Sequence, residues 1–165
     1  MATTYQIIAS VTVGAGGAAN ITFTSIPATY TDLVILYSTR AESSGTSWIN
    51  ITLGSGGTYS TRYLYGNGAG AVNSGTGVFA INQDQSYTAN TYSNGEMYIP
   101  NYLSSATKFV MADSVSERDS AGGEVVFGSN SWSGTSAVST IVLTTDGATD
   151  WEQYSTAYLY GISNA

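Results

Sequence analysis

The residues able to do chemistry in this chain are few, and they are acidic or aromatic. Asp146, Asp150 and Glu152 crowd one turn with Gly147. Oxygen-rich turns can hold calcium, but this one lacks the spaced ligands of a recognised calcium loop, so it reads as a solvated acidic turn and no metal site is expected. Glu117 and Asp119 flank Arg118 and sit near Glu124. Two carboxylates hydrolyse glycosidic bonds when held roughly 5–9 Å apart across a cleft; here the spacing is that of a charged hairpin. Histidine and cysteine are absent altogether. That removes the commonest general base, the commonest zinc ligand, the usual triad partner and any disulfide. The Ser-rich stretches therefore offer hydroxyls without a base to activate one. No catalytic residue, metal or cofactor is assigned, and the chain is expected not to be an enzyme. The candidate binding residues are Tyr87, Tyr92, Trp132 and Trp151, all read as loop aromatics. Such side chains pack over sandwich ends, anchor protein interfaces or stack on sugar rings.

Charge narrows the partners. Only 9% of the 165 residues are charged, against about 25% in ordinary proteins, and the net charge is −7. Arg40, Arg62, Lys108 and Arg118 are the only cations. Four scattered cations do not neutralise a phosphate backbone or an anionic bilayer surface, so neither nucleic acid nor membrane is expected as a partner. No apolar run approaches the ~20 residues of a membrane helix. The opening Met1–Tyr5 has no basic region and no long apolar core, as a signal peptide would, which suits a protein made in the cytoplasm.

The elements that must position these residues are strands. Asp32–Arg40 is the least interrupted apolar run, with Leu33, Ile35 and Tyr37 on one face and Val34 and Leu36 on the other. It reads as a central strand, with a core on one side and a second layer or partner subunit on the other. Lys108–Val115 and Tyr154–Ile162 resemble it, and the latter places Tyr154, Thr156, Tyr158 and Tyr160 on one face. Tyr5–Val13 alternates with period two, Gly14–Gly17 turns, and Asn20–Thr24 reads as the second arm of a hairpin. Trp48–Leu53, Tyr59–Tyr65, Gly77–Ile81, Glu96–Pro100, Glu124–Gly128 and Ala137–Thr145 complete the strands. Asn67–Gly77, Asn82–Asn94 and Ser129–Ser136 read as loops. No window shows a sustained 3.6-residue period. The expectation is a single domain over 1–165, an all-β, jelly-roll-like antiparallel β-sandwich of eight to eleven strands with both terminal strands in one sheet.

Three segments carry a resemblance. They are Ile8–Gly14 with Asn20–Pro27 and Tyr30–Leu33, then Glu96–Tyr102, then Gln153–Ile162. In this order they resemble a broad family of small β-rich virion proteins of tailed bacteriophages, including phages of cyanobacteria and other aquatic bacteria. The resemblance spans the whole chain. It implies a jelly-roll or sandwich domain that decorates (cements) capsids or forms heads of tail fibres and appendages, often as a trimer. It brings no catalytic motif. The first strand begins near Tyr5, leaving no room for the long N-terminal arm a tail fibre usually needs, which favours a compact decoration subunit. The expected function is a non-enzymatic virion structural protein, a capsid decoration protein. Its expected partners are copies of itself as a homotrimer and the major capsid or tail proteins. The alternative is a receptor-binding tail-fibre head that recognises host surface glycans.

Overall fold

The computed structural model describes residues 4–45, 47–68, 80–119 and 122–163. Most of the expected Asn67–Gly77 loop lies outside them. Eleven strands form, and no helix is present among the described residues. They are β1 (Tyr5–Thr12), β2 (Ile21–Phe23), β3 (Asp32–Ala41), β4 (Ser47–Leu53), β5 (Tyr59–Gly66) and β6 (Ala80–Asp84), then β7 (Ser93–Ile99), β8 (Lys108–Arg118), β9 (Gly122–Trp132), β10 (Ile141–Thr145) and β11 (Thr156–Ile162).

The strands make a two-layer sandwich. One layer is antiparallel in the order β1-β11-β3-β7-β8-β9-β5; the other runs β2-β10-β4-β6. The two are joined where the end of β3 runs parallel to β6, Arg40 beside Gln83 and Ala41 beside Asp84. β3 is central as expected, between β11 and β7. The terminal strands do share a sheet, Tyr5 pairing with Ile162.

Alternation places the core. Leu33, Ile35 and Tyr37 point inward from β3 and meet Ile49, Ile51 and Leu53 of β4 and Ile141 and Leu143 of β10 in one buried cluster. Each such side chain contributes about 1.5–3 kcal/mol when fully buried. Beside this apolar centre the joint between layers is polar. The Thr39 hydroxyl donates to Asn82 Oδ1 at 2.7 Å, and the Ser116 hydroxyl to Gln83 Oε1 at 2.5 Å. These bonds satisfy a fully buried β6 whose second half, Asn82-Gln83-Asp84, carries no apolar side chain.

Three expectations are corrected. β1 and β2 do not form a hairpin: β1 pairs with β11, and β2 with β10. Residues 13–20 thus carry the chain from one layer to the other rather than back along the same one. β9 does not stop at Gly128 but runs to Trp132, because Ser129–Trp132 continue the ladder with β8 down to Lys108. Leu36, read as interior, is 39% exposed on the outer face of β3, while Val34 two residues earlier is covered by its neighbours on that face.

Candidate functional site

Two surfaces stand out. The first is the outer face of the seven-stranded layer. In β8, Val110, Ala112 and Ser114 face the core, so Phe109, Met111, Asp113 and Val115 face out. In β9, Val126 and Asn130 face in, and Val125 and Phe127 face out. Register then brings the outward set together: Phe127 lies opposite Leu64 of β5 on one side and Asp113 on the other, and Val125 lies opposite Val115. Phe109, Met111, Val115, Val125, Phe127 and Leu64 are 46–54% exposed. Monomeric surfaces rarely leave so many large apolar side chains contiguous. Charge on this face is sparse and patterned. Glu96 of β7 lies directly opposite Asp113, a like-charge pair that is unfavourable when unanswered. Arg62, on β5, faces out opposite Ser129.

The second surface is a polar cleft at one end of the sandwich, about 490 Å³ in volume. One wall is the turn Glu152–Ser155, closed by the Ser155 amide donating to Glu152 O at 3.1 Å. The other is the segment 85–92, and Gly16, Gly17 and Glu42 lie between them. Arg40 sets this geometry from beneath. It is 4% exposed. Its Nη1 donates to the carbonyls of Thr88 and Thr91 and its Nη2 to that of Gln85, at 2.9–3.0 Å. Its Nε lies 2.9 Å from Glu152 Oε2. One guanidinium fork thereby fixes both walls, as planar, multi-donor arginine does well. Tyr92 adds a second tie, its hydroxyl donating to Gln153 O at 2.8 Å. Burial, and then the nearby Glu152 carboxylate, raise the Tyr92 hydroxyl above its ordinary pKa, so it stays protonated and able to donate.

The four candidate aromatics divide. Tyr92 lines the cleft. Tyr87 is half-buried in the segment that Arg40 holds. Trp132 and Trp151 are corrected: neither is a loop aromatic open to a ligand. Trp132 ends β9, is 1% exposed, and lies under the Lys108 ammonium, 5.1 Å from its ring centre. Burial lowers the Lys108 pKa. Trp151 is fully buried and bridges Ala18 and Ala41, pinning the crossing chain to β3.

Four of the carboxylates singled out in the sequence are committed to structure. Asp146 accepts the Trp48 amide at 3.2 Å, and Glu152 is tied to Arg40. Glu124 faces inward, salt-bridged to Arg118 at 2.6 Å and accepting the Tyr65 hydroxyl. Glu117 accepts the Thr88 hydroxyl at 2.7 Å. Glu117 and Glu124 pair with Gly123 and Ser116 respectively. They leave opposite faces of their hairpin, not two walls of one cleft.

Sequence reasoning missed Tyr154, Glu42 and Gln85 in the cleft, and the outward set of β8, β9 and β5. Tyr154 falls within the expected last strand, which in the structure begins only at Thr156. The outward set left a signal: Phe109, Met111 and Val115 interleave with buried Val110 and Ala112, so β8 is largely apolar on both faces. No protein-family model matches this chain, and no curated protein or solved structure is similar to it.

Proposed function

We propose that this chain is a non-enzymatic structural protein of a tailed bacteriophage particle, a capsid decoration subunit that acts through protein–protein contact. The observation that supports it is the apolar outer face around Phe127 on a chain with little charge to keep it solvated.

The occupant of this face is a second copy of the chain. β9 lies between β5, which carries Arg62, and β8, which carries Asp113. A copy rotated about a two-fold axis along β9 sets Phe127 against Phe127. It also brings its Arg62 over Met111, one residue pair from Asp113 and its neighbour Glu96. The unanswered acid pair then meets a cation. Sheet-on-sheet pairing of this kind closes on itself, whereas the resemblance implies a trimer.

Light scattering on the purified protein gives the order: dimer or trimer sustains self-association, and a monomer at micromolar concentration overturns it. The particle role is tested by adding the protein to phage shells stripped of it. Stoichiometric rebinding to the shell is expected, and binding to tails alone would overturn the decoration role in favour of a tail appendage.

A further inference from the structure

The side chain at the mouth of the polar cleft has no structural reason to be what it is. Tyr154 is 66% exposed. Its φ is +71°, in the left-handed region that bulky L-residues avoid. It occupies the third position of the turn Glu152–Ser155, where such a φ ordinarily selects glycine or asparagine. Its amide donates to Val13 O at 3.0 Å, a bond any residue except proline makes. The ring is thus held in solvent at one wall of a preformed cleft, in a backbone state that glycine would adopt without strain.

The rest of the cleft supplies the complement of an exposed ring. Gln85 and Asn90 stand on the opposite wall, Glu152 and Gln153 on the same turn as Tyr154, and Glu42 between. Amides and carboxylates supply the paired acceptors and donors that hydroxyl groups need. The volume falls in the ~300–1,000 Å³ range of small-ligand clefts. The cation beneath the cleft, Arg40, is enclosed and spent on Glu152 and backbone carbonyls, so its charge is not free to receive an anion.

We infer that this cleft is a saccharide-binding site in which one sugar ring stacks on Tyr154 and its hydroxyls pair with Glu42, Gln85 and Asn90. The ligand is a neutral saccharide; sialylated and uronic sugars are disfavoured because Glu42 and Glu152 together outweigh the one positive charge of Arg40. The site depends on the cleft alone and not on the oligomer or on where the subunit sits, so its test is independent of the particle experiments.

The test uses the full chain and ligand-observed NMR with maltotriose, lactose and chitotriose, and with sialyllactose as the acidic control. Saturable binding of at least one neutral sugar is expected, with sialyllactose weaker than lactose. No binding by any of the three, or preference for sialyllactose, would overturn the inference. Tyr154→Phe should retain affinity and Tyr154→Ala should lose at least tenfold. Tyr154→Gly separates function from folding: it should abolish binding while raising Tm by about 2–4 °C, because the strain is relieved. A Tyr154→Gly protein that still binds, or that melts lower than the parent, would also overturn it.

Discussion

Arg40 and Glu152 are joined at 2.9 Å across the end of the sandwich, and the same guanidinium holds three carbonyls of the segment 85–91 at 2.9–3.0 Å. Removing it leaves a partly covered carboxylate and several carbonyls without their donors. Arg40→Ala should destabilise the fold by about 3 kcal/mol, the lower end for breaking a buried pair, since Glu152 keeps some solvent. Arg40→Lys should recover only part, because a single ammonium does not reproduce the fork. Urea unfolding measures the loss, and hydrogen exchange should speed up first in 85–92.

Neighbouring residues of β3 should behave oppositely. Ile35 is fully buried and Leu36 is 39% exposed. Ile35→Ala should cost about 2–5 kcal/mol through lost transfer energy and a cavity, and Leu36→Ala only about 1 kcal/mol in the monomer, since part of its side chain is already in solvent. Equal effects in denaturant melts would contradict the facing assigned to β3.

The outer face gives a charge-swap experiment. Phe127→Lys should yield monomers whose Tm stays near that of the parent in monomeric form, since the side chain is half exposed and its cross-strand neighbour is Asp113. Arg62→Glu should weaken self-association at least tenfold, and adding Asp113→Arg should restore it. Sedimentation velocity reads all three; failure of the double variant to recover would remove the pairing of Arg62 with the acid pair.

Alkaline pH should unfold the protein steeply. The Tyr98 hydroxyl donates to Asp32 Oδ2 at 2.6 Å, and this bond, with burial, raises its pKa to about 12. Tyr65 reaches about 12 through burial and its bond to Glu124. A raised folded-state pKa gives stability that is complete below the unfolded value of 10 and is lost as pH climbs through 12. Lys108 acts in the opposite sense, since its folded pKa is lowered and stability gains as it deprotonates ahead of the unfolded chain. Several tyrosines outweigh one lysine. Thermal melts should be level to about pH 9 and fall between pH 10 and 12, and Tyr98→Phe should flatten that fall.

Strand existence was legible because period-two alternation is local: β3, β4, β7 and β8 lie where Leu33, Ile49, Met97 and Val110 place them. Partner choice was not. Gly14–Gly17 looks like a hairpin turn, yet Val13 and Ala18 bond instead to Ser155 and Trp151, far along the chain. Trp132 looks like a loop residue because Ser, Asn and Gly surround it, but Gly134 leaves the space that its large ring fills. A Cβ on Gly134 would come within 2.1 Å of it. The cleft was unreadable for a similar reason: Glu42, Gln85 and Tyr154 meet only through the pairing of distant strands.

The place of β11 has a consequence for synthesis. This strand is made after the other ten, yet it lies inside the long sheet, between β1 and β3. While the chain is still on the ribosome, β3 exposes an open edge rich in Leu, Val and Ile, and β1 has no partner in that sheet. Open edges recruit other strands. Until Ile162 emerges, the nascent chain therefore depends on chaperone cover, and translation pauses between Thr145 and Ile162 should lower the yield of soluble protein more than pauses near Gly66.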